Sequence, residues 1–188
     1  MKKNQTKPQG KESKEVIELM VLVDSDDNEL GVMEKIETHK QGLLHRAFSG
    51  FVFNNKGELL IQKRSSTKYH NPGIWGNTVC SHPRLGESIE QGVKRRLHEE
   101  LGFELDFKVL DYFIYKATFP NGLTEHELDH VCVAKYDNQE IIPNPEEVAE
   151  IRWISLADLK REIESTPEKF AFWLKEILNK GILKRISN

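Results

Sequence analysis

Apolar residues recur at every second position in several short runs of this chain and at every fourth in one longer run, and the two periods predict strands and a helix respectively. Val16 to Val23 reads as a strand, Asp24 to Asn28 as a turn, and Gly31 to Glu34 as a second extended piece. Ala47 to Phe53 and Glu58 to Gln62 flank Asn-Asn-Lys-Gly, in which Gly57 offers a left-handed position, so a hairpin is expected. Across Glu87 to Leu101, the apolar residues Ile89, Val93, Leu97 and Leu101 follow one another at a spacing of four, and Gly102 is a natural stop for the helix this predicts. Phe107 to Thr118 and Thr124 to Tyr136 are long β patterns joined through Pro120-Asn121-Gly122, expected to pair antiparallel. A short strand at Ile151 to Ile154 follows, then a helix from Leu156 to Ile163 capped by Ser155. Thr166-Pro167 should open a last amphipathic helix running to about Asn179.

Composition narrows this to one globular unit: 188 residues, 38% hydrophobic and 30% charged, suit a single core. Residues 1–15 hold five lysines and two glutamates with almost nothing to bury, and are expected to form a mobile tail ahead of a domain over 16–188. A net charge of -3 gives no global attraction to nucleic acid or to an anionic membrane, so any anionic ligand must be held by a local cluster of Lys and Arg. Two cysteines, Cys80 and Cys132, make no disulfide framework and fit the reducing cytoplasm. The longest apolar run, Leu19 to Val23, is too short to span a bilayer, and the lysine-bearing start has no secretory apolar stretch.

Candidate chemistry sits in four places. On the helix, Arg95, Arg96, Glu99 and Glu100 follow Glu87, and periodicity alone makes them a solvated face of paired charges. In Gly-Ile-Trp-Gly-Asn-Thr-Val-Cys-Ser-His-Pro, residues 73–83, Pro83 pushes His82 toward an extended backbone, so Cys80 and His82 can point the same way. In Thr124-Glu125-His126-Glu127 the two glutamates share one strand face with Cα atoms roughly 6.7 Å apart, which suits two ligands on one metal or a cross-strand ion pair. His39 and His45 flank Lys-Gln-Gly-Leu-Leu before the first hairpin. Each alone is an ordinary surface or core histidine.

Taken together these stretches resemble a known family. The helix is similar to the Nudix box, Gly-x5-Glu-x7-Arg-Glu-apolar-x-Glu-Glu-x-Gly-apolar, with Glu87, Arg95, Leu97, Glu99, Glu100, Gly102 and Phe103 in place. It departs at Ser81, where the first Gly belongs, and at Arg96, which replaces a metal-binding Glu of the hydrolases. A cation in place of that carboxylate weakens a multi-metal hydrolytic centre and suits clamping a phosphate. His-Arg-Ala-Phe-Ser, Asn-Thr-Val-Cys-Ser-His-Pro and Glu-x-Glu, with the helix, resemble type 1 isopentenyl-diphosphate isomerases over about residues 17–175.

The resemblance implies a Nudix-type α/β/α sandwich with a mixed β-sheet, and a site in which His39, His45, His82, Glu125 and Glu127 hold one divalent metal. Imidazole and carboxylate ligands suit Mg, Mn or Zn alike. It further implies that Glu100 holds a Mg bridging to a diphosphate, that Lys35, Arg64, Lys68 and Arg96 pair with the phosphates, and that Trp173 walls the isoprene unit. Shifting an unactivated double bond through a tertiary carbocation requires two acid–base groups bracketing the substrate. Cys80 and Glu127 match them, in either direction, with Tyr115 as a hydrogen-bonding relay. The implied partner is a small homoallylic or allylic diphosphate, not nucleic acid or membrane, and the oligomeric state is open. The rival reading is a Nudix hydrolase of a nucleoside diphosphate derivative, which the helix alone supports; a silent binding module would be expected to lack Cys80 or the glutamate pair.

Overall fold

The centre of the molecule is one strand with different partners along its two edges. The computed structural model describes residues 18–68 and 71–187, so the tail expected over 1–15 and the first residues of the expected first strand, Val16 and Ile17, lie outside the described residues. Strand β3 (His45–Phe53) runs parallel to β8 (Thr124–Lys135) along its whole length, from His45 opposite Glu127 to Phe53 opposite Lys135. Its other edge meets three strands in turn: β1 (Leu19–Val23) at His45, β6 (Val79–Ser81) at Phe48 to Gly50, and β4 (Leu59–Arg64) at Phe53. Outside these, β2 (Glu29–Glu34) pairs with β1, β7 (Lys108–Thr118) with β8 in the expected antiparallel hairpin, and β9 (Val148–Ile154) and β5 (Trp75–Gly76) with β4.

Period-two alternation sorts side chains between two cores. Phe48, Val52, Leu60, Val79 and Cys132 pack under helix α2 (Ile89–Leu101), which contributes Val93, Leu97 and Leu101. Phe51, Leu59, Ile61, Tyr115 and Val131 pack on the opposite side against Leu159 of α3 (Leu156–Ser165) and Trp173, Leu174 and Ile177 of α4 (Phe172–Lys180). A mixed sheet between helices on both faces is the α/β/α sandwich anticipated above.

Four expectations need correction. The β3–β4 hairpin is a tight turn with a single registered pair, Phe53 with Leu59, after which the strands diverge and the same edges are taken by β6 on β3 and by β5 on β4. The long helix begins at Ile89 rather than Glu87. Ser88 is its cap, accepting from the Gln91 amide while the Gln91 side chain accepts from the Ser88 amide. The last helix does not start at Thr166-Pro167: a 3-10 turn, Pro167–Lys169, stops at Phe170, which bridges to Trp75, and α4 starts afresh at Phe172. The strand expected from Ile151 already begins at Val148, and helix α1 (Lys35–Gln41) was not anticipated at all. Among the described residues, no helix is long and apolar enough to cross a membrane.

Candidate active site

The divergence of β3 and β4 leaves backbone groups that a closed sheet would have paired, and such groups are costly to bury unmet. Two side chains just before β6 meet them. Thr78 Oγ1 accepts from the Val52 amide at 2.9 Å and donates to the Leu60 carbonyl at 2.6 Å, joining the parted strands. Asn77 Nδ2 donates to Gly50 O at 3.0 Å and to Val79 O at 2.8 Å. The segment carrying Cys80 is thereby inserted into the opening, with Cys80 opposite Ser49.

Because paired residues share a sheet face, Cys80, Ser49, His45, Glu127 and Tyr115 all look toward one side. On this side lies a cavity of about 100 Å³ lined by Lys35, His39, Arg64, Lys68, Cys80, His82, Arg96, Tyr115, Glu125, Glu127 and Trp173, with Phe48, Ser49 and Ser81 completing the wall. All of the cations named from the sequence reach this space, as do both acid–base candidates, the tyrosine and the indole. His45 lies wholly beneath it at 0% exposure. Glu100 is not among the lining side chains: it is buried on α2, its carboxylate accepting from Gln62 Nε2 at 2.6 Å and from Arg96.

On the floor, one ligand atom each from His39, His45, His82 and Glu127 lie within 4.8 Å of one another, close enough for a single ion. The imidazole ring centres stand 4.9, 5.0 and 5.8 Å apart. Helix α1 delivers His39: Glu34 caps its start, accepting from the Ile36 and Glu37 amides, and Gly42 ends it with φ 62°. His39 Nδ1 then contacts Lys35 O at 2.6 Å and His45 Nδ1 contacts Leu43 O at 2.9 Å, which assigns the proton to Nδ1 and leaves each Nε2 as the acceptor a metal needs. His45 Nε2 and His82 Nδ1 are buried without a hydrogen-bond partner. Burial, then the neighbouring His82, lowers the His45 pKa to about 4. Burial and the Lys35 charge lower that of His82 to about 3. Neutral, convergent imidazoles beside a carboxylate fit a divalent cation well. Glu125 lies outside this group of four but shares Tyr115 with it: the phenol donates to Glu127 at 2.7 Å and stands 3.2 Å from Glu125.

Burial pushes the Cys80 thiol far up, opposed by Arg64 and reinforced by Glu100, Glu127 and Asp129, so the sulfur rests protonated. Burial and the two glutamates do the same to the Tyr115 phenol. Asp129, a residue the sequence reading did not single out, accepts from Ser49 Oγ at 2.8 Å, and burial with the nearby Glu127 charge raises its pKa well above the carboxylate range. At the rim Lys35, Lys68 and Arg96 have acidic partners. Lys35 pairs with Glu18 at 2.9 Å, while Glu147 accepts from both Lys68 and Arg96, the latter at 3.0 Å. Glu87 grips Arg95 at 2.7 and 2.8 Å and braces the loop before α2.

A family profile for the NUDIX domain matches residues 43–175. The isopentenyl-diphosphate Delta-isomerase 2 of Photorhabdus laumondii is 48% identical over 162 residues, 86% of this chain and 91% of that protein. The isopentenyl-diphosphate Delta-isomerase of Serratia proteamaculans is 44% identical over 163 residues, 86% of this chain and 89% of the relative. The same fold recurs in a crystal structure from Deinococcus radiodurans at a TM-score of 0.70 with 24% identity, covering 87% of this chain and 98% of that one. By the extent of both matches, the chain belongs to the Nudix family and, within it, to the isopentenyl-diphosphate Delta-isomerases.

Proposed function

We propose that the residues round this cavity interconvert isopentenyl and dimethylallyl diphosphate by protonating one carbon and deprotonating another. The observation that carries the reading is the convergence of Cys80 and Glu127 on one face of the sheet, on strands flanking β3, in a cavity whose rim is cationic. A diphosphate suits that rim because Lys35, Arg64, Lys68 and Arg96 can match its charge while the five-carbon chain reaches inward past Trp173. The protonated thiol can give or receive a proton only through a neutral S–H or a transient thiolate, and the Glu127 carboxyl, held by Tyr115 Oη, is its counterpart on the other strand. Tyr115, itself kept protonated, can pass a proton along its hydrogen bond to Glu127.

His39, His45, His82 and Glu127, with Glu125 beside them, would hold one divalent ion of Mg, Mn or Zn, and Glu100 a Mg accompanying the diphosphate. Such ions neutralise charge and acidify the groups they bind. For that role Glu100 would have to release Arg96, whose guanidinium would be free to face phosphate, while Gln62 would hold the other carboxylate oxygen. A free, protonated cysteine at the reaction centre suits the reducing cytoplasm.

The deciding experiment is turnover of isopentenyl diphosphate with Mg in deuterated water. Deuterium should appear in a methyl group of dimethylallyl diphosphate. Phosphate release with no carbon-bound deuterium would instead place the chain among the nucleotide-cleaving Nudix enzymes.

A further inference from the structure

Asn77 is 1% exposed, and all three of its polar bonds are made to different pieces of the molecule. Its amide nitrogen is committed to two carbonyls, Gly50 O on β3 and Val79 O on β6. That fixes which end of the amide is oxygen, and the oxygen accepts from Trp173 Nε1 on α4 at 2.9 Å. Trp173 is itself 5% exposed and lines the cavity with Cys80 and Tyr115. A buried indole N–H must find an acceptor, so the position of Asn77 dictates the rotation of the ring. The backbone adds a second tie, because the Ala171 amide donates to Trp75 O at 2.8 Å just ahead of α4. One short segment, 75–80, therefore carries the thiol and holds the start of the helix that bears the indole.

We propose that Asn77 is a positioning residue that sets the Trp173 ring in register with Cys80, so that the π face closes the cavity over the reacting carbons and keeps water from them. The inference rests on the isomerase reading and deepens it. Its chemical consequence is specific. Protonation of the terminal methylene leaves a tertiary cation, from which an enzyme group must remove a proton to complete the isomerisation. If water reaches that carbon first, an oxygen lone pair forms the C–O bond, the added water loses one proton, and the product is 3-hydroxy-3-methylbutyl diphosphate. The net change is addition of one water, with nothing oxidised or reduced.

The test is the ratio of this alcohol to dimethylallyl diphosphate, read by mass spectrometry. The unchanged protein should give isomer with only traces of alcohol. Asn77→Ala and Trp173→Phe, each checked for folding by thermal melting, should lower turnover by about tenfold or more, as misplacing a group at a reacting centre does, and raise the alcohol fraction. The double variant should be no worse than the poorer single one, since both break the same bond. Should Asn77→Ala fail to fold, installing 3-benzothienylalanine at position 173 removes only the N–H while keeping the fused ring. It too should raise the alcohol fraction. A wild-type alcohol fraction in the folded variants, or fully additive losses, would overturn the positioning role while leaving the isomerase reading intact. Absence of isomer from the unchanged protein would overturn both.

Discussion

At the floor of the cavity His39 and His45 each commit one ring nitrogen to a backbone carbonyl and point the other inward, whereas at the rim Lys68 and Arg96 share the Glu147 carboxylate at the ends of long side chains. The floor is built on strands and on capped helix α1 and is pre-formed, with His45 and His82 kept neutral by burial before any ligand arrives. The rim is provisional. Its internal carboxylates stand where an anionic ligand's charge would be needed, and exchanging a partly exposed ion pair for another costs little. The contrast teaches that geometry is fixed where the imidazoles and Glu127 converge and left adjustable at the cationic rim.

The strongest way to break this contrast is Cys80→Ala. It should fold normally, since the thiol fills a small partly buried space, yet lose activity by about 10³-fold or more. Turnover within tenfold of wild type would show that the floor does not contain the chemistry. Next in size is the acid response of metal-stripped protein. Unfolded His45 and His82 take up protons below the ordinary value of 6.5, while their folded forms resist until about pH 4 and about pH 3. The unfolded state therefore binds more protons across that window, and stability should fall as pH drops from about 6.5 toward 4. The limiting slope is about 1.4 kcal/mol per pH unit for each histidine. A melting temperature that does not change between pH 7 and 5 in chelator would contradict a floor of buried neutral imidazoles.

Two smaller effects sharpen the comparison. His82→Ala should weaken metal retention by about 10- to 100-fold, measured by elemental analysis after dialysis, while Lys68→Ala leaves metal content untouched and raises KM. Equal metal loss in both would erase the boundary between floor and rim. Glu147→Gln, which relieves competition for Lys68 and Arg96, should lower KM for the diphosphate by only a few-fold, and less so at high salt. An increase in KM would mean that Glu147 orients the cations rather than competing for them.

Much of this site was legible in the sequence because its residues sit in short, distinctive strings. His-Arg-Ala-Phe-Ser, Asn-Thr-Val-Cys-Ser-His-Pro and Glu-x-Glu named residues that the sheet register then brings to one face. The β7–β8 hairpin and α2 were readable from local period and turn chemistry. What escaped was non-local. No pattern in the Lys35 to Gln41 stretch announces a helix, because only seven residues form it and Glu34 is an unusual cap. The near-absence of β3–β4 pairing could not be read from a good turn sequence, since it depends on β6 taking the same edge of β3 and β5 the same edge of β4. Gln62, Ser49 and Asp129 stayed hidden because each acts on a partner far along the chain. Asn77 lay within a quoted motif, yet only the packing of α4 shows which indole it meets.

The parting of β3 and β4 also bears on how freely this protein can change. In many folds, reactive groups sit on loops that can be exchanged without touching the frame. Here the plug that closes the gap and the bearer of Cys80 belong to the same six residues, so the plug can outlast the thiol but the thiol cannot keep its place without the plug. A descendant that abandoned the thiol would still need Thr78-like and Asn77-like groups to satisfy Val52, Leu60 and Gly50, and one that lost those groups would lose the seat of Cys80 with them. The seat of Cys80 is thus inherited together with the architecture.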